Sequence, residues 1–330
     1  MKAVLANRKD AEDIRQKLLS GGLFDRKRKL VEKGDYVEIP VKDFLPVENL
    51  TFIEQEQPEF YSPKKTLADC LDIPDSKKKH LPAGWQVLGY IIIVSLHETV
   101  EIHKANIGKA LLSLYPRCKT VLLDRGINGR MRQPAREIIA GKDTLTIHRE
   151  NGCIFKLDTM QIMYSQGNLA EKKRMSRLGK GEIVVDMFAG IGYFTIPIAL
   201  HSKPEKIYSI EINPVAFGYL KENIKLNKVE DIVEPILGDC SVATPEGLAD
   251  RVIMGYLDAQ EYLGKGIKAL LPGGILHYHE AVPEAIKSRP VERIVEAALK
   301  LGRKAEIMKV RKIKKYSPGV WHMVVDARIG

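Results

Sequence analysis

The stretch Val184-Val-Asp-Met-Phe-Ala-Gly-Ile-Gly-Tyr-Phe-Thr-Ile-Pro197, followed by Ile210-Glu-Ile-Asn-Pro214, decides the fold. Its β-branched run over 182–186 reads as a buried parallel strand, 189–192 as a tight turn and 193–201 as the opening of a helix. Glycines at 190 and 192 let the backbone approach a bound nucleoside. A dinucleotide fingerprint wants a third glycine at the next fixed offset, where a pyrophosphate passes, and that position is Thr195. NAD therefore fits poorly. Glu211 follows the next predicted strand, 206–210, at the place where an acid meets the hydroxyls of a ribose.

Working outward, predicted strands at 182–186, 206–210, 232–236, 251–254 and 274–279 alternate with helical stretches, which implies a doubly wound, mostly parallel sheet. A closing hairpin is expected from 305–311 and 321–327. Upstream lie a predicted helix over 168–178 and a hairpin turning at Glu150-Asn-Gly152, a strong turn signal. Further strands are expected at 87–94 and 120–123, with a helix at 100–115. Residues 1–60 read as a small separate unit, with strands at 1–5 and 36–40 and a helix at 11–19. The proline- and lysine-rich stretch 61–84 reads as a linker. The expected domains are thus 1–60, 85–178 (α+β) and 179–330.

A chain of 330 residues is long enough for such an arrangement, and its formal charge of +10 favours a polyanionic partner, nucleic acid first. Four widely spaced cysteines, Cys70, Cys118, Cys153 and Cys240, suggest neither a zinc site nor a disulfide framework. His277 and His279 share a strand face without a third ligand at metal-binding spacing, so no metal is expected. No apolar run reaches membrane-span length and the N-terminus lacks a signal-peptide pattern, so a cytoplasmic protein is expected. Basic runs at 26–29, 77–79, 125–136, 172–177 and 309–315 together offer a surface for phosphates.

The spelling Asp-x-Phe-x-Gly-x-Gly from Asp186 to Gly192 resembles the first motif of S-adenosylmethionine (SAM) dependent transferases, which bind the ribose of SAM through an acid. A class I Rossmann-like SAM domain, preceded by an α+β RNA-binding domain and a small N-terminal domain, is the α/β architecture this implies. A wider set follows the same order. It comprises Arg132, Tyr164-Ser165, Asn168 to Met175 with Glu171, Asn223 to Asn227, Ala249 to Tyr256, His277-Tyr-His279 and Tyr316-Ser-Pro-Gly-Val-Trp-His322. Together these resemble the tRNA guanine-37 N1-methyltransferases and their relatives, the wybutosine-synthesis transferases. The latter move the 3-amino-3-carboxypropyl group of SAM onto C7 of 4-demethylwyosine at position 37 of phenylalanine tRNA. Residues 1–60 resemble the extra domain that the methyltransferases set against the outer corner of tRNA.

The resemblance implies roles. Gly190 and Gly192 admit the nucleoside, Phe188 packs beside it, Glu211 takes the ribose and Asp239 the adenine amino group. Ser165, Asp186 and Gly255 join them as cofactor contacts. Arg132 and Glu171 match residues that orient the base and accept its proton, and Asn168 is placed to position the transferred group. The methyltransferases carry Asn-Leu-Pro or Asn-Pro-Pro where this chain has Gly255-Tyr-Leu257, which favours aminocarboxypropyl transfer; methyl transfer at position 37 and a non-catalytic tRNA-binding protein stay open. A single copy is the expected working unit.

Overall fold

The continuous apolar run Ala3-Val-Leu-Ala6 makes Lys2–Asn7 an inner strand of a four-stranded antiparallel sheet, in the order Val31–Lys33, Tyr36–Pro40, Lys2–Asn7, Thr51–Glu54. The computed structural model describes residues 1–44, 50–61 and 65–330. Helix Ala11–Ser20 adds Ala11 and Leu18 to a core with Val4, Ile39 and Val41. Arg28, one of the basic residues read as a phosphate contact, is instead buried in this unit. Its guanidinium donates to the carbonyls of Lys2 and Val41, both at 2.7 Å, and pairs with Asp25 at 2.9 Å. A buried cation needs such partners, and here they are all internal.

Residues 67–330 make up a second compact unit. The expected linker is corrected from Leu67 onward: Leu67, Leu71 and Ile73 are buried with Ile92, Val100, Ile107 and Val121. Positions 62–64 lie outside the described residues. The predicted strand at 87–94 is two strands, Gln86–Leu88 and Ile91–Val94, turned at Gly89 with φ +54°. They continue into Thr120–Asn128 and Gln133–Ala140 to give a second four-stranded sheet, with helix Lys104–Leu114 against it. The last of these strands is not among those the sequence predicts.

The boundary expected at 178/179 runs through shared core, where Phe155, Tyr164 and Met175 pack with Val184, Ile196 and Leu220. Two asparagines seal it. Asn223 accepts the N–H of Lys156 at 2.7 Å and Asn227 that of Ile154 at 2.8 Å, so the hairpin Leu145–Glu150 with Cys153–Asp158 is bonded to helix Pro214–Leu226. The hairpin turn has positive φ at both Asn151 and Gly152, as its sequence predicts.

The large sheet has seven strands: Ile183–Asp186 (β1), Lys206–Glu211 (β2), Val233–Leu237 (β3), Ala249–Met254 (β4), Leu270–Pro283 (β5), Ala305–Ser317 (β6) and Val320–Ile329 (β7). Their order is β3-β2-β1-β4-β5-β7-β6, parallel through β5 and antiparallel at β7 and β6. Successive residues of β1 serve opposite faces. Val184 packs with Ile196 and Leu220 from one layer of helices, Val185 with Leu263, Ile267 and Ile294 from the other. This is the doubly wound, Rossmann-like sheet the sequence indicates, and its order reverses at β1, where ligands bind beyond the carboxyl ends of the strands.

Candidate functional site

A cavity of about 650 Å³ opens at that point. Arg132, Ser165, Asn168, Phe188, Gly190, Glu211, Asp239 and Gly255 all line it, although they come from distant parts of the chain. Asp186, Gly192 and Glu171 do not.

At one end, Glu211 closes β2. Its carboxylate accepts the N–H of Gly190 at 2.8 Å and that of Asn213 at 2.7 Å. Burial raises its pKa, while these N–H groups favour the anion. Gly190 sits at φ +58°, and a Cβ there would meet the Tyr193 ring at 2.5 Å. Asp239 caps the short helix Cys240–Ala243, accepting from the N–H and hydroxyl of Ser241 at 2.9 and 2.8 Å. Phe188 stands between Tyr256 and Tyr262, with centroids 5.5 and 5.6 Å away. An acid, an aromatic wall and a second acid in this order suit a ribose, an adenine ring and its amino group, so the residues fit a bound adenosine.

Asp186 lies beneath this end. Burial raises its pKa to about 6, and it accepts from the Thr195 hydroxyl at 2.8 Å and the Phe188 N–H at 3.3 Å. It braces the turn and makes no wall of the cavity. Gly192, at φ +101°, likewise shapes the turn, since a Cβ there would lie 2.5 Å from Ile196.

The other end is cationic. Arg132, held at φ +51°, Lys314 and Lys315 line it, and among the described residues none of the three has a carboxylate partner. Lys314 donates to Ser165 Oγ at 3.3 Å, and burial followed by the Arg132 charge lowers its pKa. Asn168 Oδ1 is buried here with no hydrogen-bond partner among the described residues. Glu171, by contrast, is clamped by Arg174 at 2.5 and 3.0 Å, with Arg174 held in turn by Asp326 at 3.1 Å. The carboxylate expected to accept a proton is thus turned into a structural ion pair outside the cavity.

Several other basic residues read as phosphate contacts are likewise occupied. Arg125 pairs with Glu101 and Glu137, buried Lys172 with Glu150 at 2.7 Å, and Arg311 with Asp326 at 2.6 Å. Among the described residues no group of three metal-binding side chains occurs, and no helix is long and apolar enough to cross a membrane. The four cysteines are unpaired thiols.

Three family models match successive segments of the chain. The tRNA methyltransferase 5 N-terminal domain matches residues 3–47, the TYW2 N-terminal domain 66–144 and the TRM5/TYW2 methyltransferase domain 146–308. The tRNA (guanine(37)-N(1))-methyltransferase Trm5b of Pyrococcus abyssi is 35% identical over 99% of this chain and 98% of its own length. The chain belongs to the TRM5/TYW2 family. Within that family, the tRNA(Phe) (4-demethylwyosine(37)-C(7)) aminocarboxypropyltransferase of Methanocaldococcus jannaschii is 52% identical over 64% of this chain and 86% of the relative. The structure of Pyrococcus horikoshii TYW2 in complex with MeSAdo superposes with a TM-score of 0.70, at 38% identity, over 78% of this chain and 95% of that one. The TRM5/TYW2 fold therefore explains the whole chain, and its members act on tRNA with SAM.

Some residues of this TRM5/TYW2 site carry no mark in the sequence. Arg130 crosses from the turn before Gln133–Ala140 to donate to Asp239 at 2.9 Å and to the Tyr262 hydroxyl at 2.5 Å. It lies inside the 125–136 basic run, with nothing local to single it out. His322 lines the cavity too, and it closes a motif whose spelling points to no particular chemistry.

Proposed function

We propose that this protein transfers the 3-amino-3-carboxypropyl group of SAM to C7 of 4-demethylwyosine at position 37 of tRNA(Phe), releasing methylthioadenosine. The observation that carries the reading is the cavity wall at Gly255, Tyr256 and Leu257. A Cβ at Gly255 would lie 2.9 Å from the Phe194 ring, and Tyr256 leans on Phe188 at an interplanar angle of 33°. An asparagine that grips guanine, as the methyltransferases carry, has no counterpart there. The 52% identity to an aminocarboxypropyltransferase supports the same choice.

Bound SAM supplies a carbon made electrophilic by the adjacent sulfonium. Glu211, Asp239 and Phe188 hold the adenosine, so the orientation of the methionine arm decides which carbon is presented. Asn168, with its unpartnered carbonyl, Ser165 and Lys314 form the surface on which that arm rests, the lysine matching a carboxylate. Arg132 and Lys315 hold the anionic tRNA backbone or base edge at the mouth. Glu171 acts at one remove, fixing Arg174 and with it the helix Leu169–Met175 that follows Asn168. The protein works as a single copy in the cytoplasm, where its tRNA substrate is modified.

The test uses SAM labelled in either the methyl or the carboxylate carbon, with tRNA carrying 4-demethylwyosine or unmodified guanine at position 37. Carboxylate label in the tricyclic tRNA alone is the expected result. Methyl label in either tRNA supports the second reading, a position-37 methyltransferase, which the 35% identity to Trm5b along almost the whole chain favours.

A further inference from the structure

Attack by C7 at an aminocarboxypropyl carbon leaves a proton that has to go somewhere, and the cavity offers few places. Glu211 is held by backbone N–H groups at the ribose end. Asp239 is paired with Arg130, Asp124 with Arg136, and Lys172 with Glu150. Glu171 is outside, gripped by Arg174. One cavity-lining group is different. His322, on β7, is 1% exposed and uses Nε2 to meet His279 Nδ1 at 3.0 Å, leaving Nδ1 without a partner among the described residues. Its cross-strand neighbour on β6 is Lys314, in direct register.

A buried ring nitrogen with no partner is costly in a folded protein, unless a ligand or a reaction uses it. We propose that His322 Nδ1 is the proton acceptor of the transfer reaction, positioned by His279 behind it and kept neutral by Lys314 beside it. The inference rests on the aminocarboxypropyl reading above. In the step, the C7–Cγ bond forms as the Cγ–S bond breaks, with the electron pair remaining on the sulfur of methylthioadenosine. The base is left as a cation carrying hydrogen at C7. That proton passes to His322 Nδ1, the ring regains its aromaticity, and the imidazolium gives the proton to solvent as product leaves.

This assignment fixes the tautomer: His322 Nε2–H donates to His279 Nδ1, so Nδ1 of His322 is the bare acceptor. The groups facing His322 are Lys314 from β6 and His279 from β5, with Arg132 beyond Lys314. Burial, then the Lys314 charge, lowers its pKa to about 4. A weak base suffices, because the proton leaves a strongly acidic ring cation, and at neutral pH the ring is always free to accept it.

The experiment compares the wild-type protein with His322→Asn, His322→Gln and Lys314→Met, using carboxylate-labelled SAM and tRNA whose 4-demethylwyosine carries hydrogen or deuterium at C7. Loss of a general base is expected to slow single-turnover transfer by about 10²–10⁴-fold in both His322 variants. In the two His322 variants, calorimetric SAM affinity and tRNA affinity should stay close to wild type, and a C7 isotope effect should appear that the wild-type protein lacks. Histidine NMR should show His322 titrating well below its ordinary 6.5 in the wild-type protein and nearer to it in Lys314→Met, whose acid limb of activity moves up in step. Transfer at wild-type rate in either His322 variant overturns the proposal. So does slow transfer with no isotope effect and weakened SAM binding, which would mark a packing role. Failure of the wild-type protein to move the carboxylate label at all sinks the underlying reading instead, and is read separately.

Discussion

The backbone N–H of Gly190 donates to Glu211 Oε2 at 2.8 Å, tying the glycine turn after β1 to the last residue of β2. The carboxylate proposed to serve the ribose thus also sets the shape of the turn beneath it. Glu211→Ala should remove two charge-assisted contacts to a bound ribose and release the turn. Hydrogen bonds to charged groups contribute about 1.5–3 kcal/mol each, so SAM affinity measured by calorimetry should fall at least tenfold. Unchanged affinity would show that the adenosine sits elsewhere.

Arg130 presents the opposite case, a surface contact with leverage on binding. Its pair with Asp239 is exposed to solvent and screened by it, so Arg130→Ala should leave the melting temperature close to wild type. Freed Asp239 and Tyr262 should still weaken SAM binding, raising KM while sparing single-turnover rate at saturation. A loss of the saturated rate alone would place Arg130 with the tRNA.

Asp326 anchors the back of the site, bonded to His277 at 2.6 Å, Arg311 at 2.6 Å and Arg174 at 3.1 Å. Arg251 can only donate to His277 Nε2, at 2.6 Å, so neutral His277 donates from Nδ1 to Asp326. Asp326→Asn leaves the partly exposed Arg311 without its carboxylate and Arg174 with Glu171 alone, and should cost about 1.5–3 kcal/mol at neutral pH in a denaturant titration. Although burial works against it, hydrogen bonding from His277 and the nearby charges hold the Asp326 carboxyl far below its ordinary 3.8. Its folded pKa is depressed, so its stabilisation is complete above the unfolded value and is lost as pH falls through the folded one. The gap between the two proteins should therefore narrow only below about pH 4.

Gly255→Ala tests the cavity wall. The added methyl meets Phe194 at 2.9 Å, so the ring has to shift against His279, its neighbour at 5.3 Å. Overpacking of this kind costs about 1–3 kcal/mol. We expect a lowered melting temperature together with slower transfer; full activity would show that the wall is not part of the reacting geometry.

The places of Gly190 and Glu211 at the cavity are legible in the chain because strand, turn and acid follow at short range, whereas Gly192, read as a contact, only shapes the turn; the period of the strands gives the sheet. What eludes the sequence depends on distant partners. Glu171 is an ion-pair member through Arg174 and Asp326, the latter completing the clamp from 152 positions beyond Arg174. Arg130 meets Asp239 across 109 positions, and Lys314 meets Ser165 across 149. Leu67, Leu71 and Ile73 read as linker because interspersed prolines and charges hide their common burial. Arg28 and Lys172 look like free cations; only the folded chain shows the carbonyls and carboxylates that enclose them.

The internal bonding of Arg28 has an evolutionary side. Its partners Asp25, Lys2, Val41 and Gln55 all lie within the first 55 residues, so the small sheet carries its own keystone. A gene could gain or shed this segment near Thr66 without unpairing Arg28 itself. Lineages could then combine the same small sheet with different chemistries, changing each at its own pace.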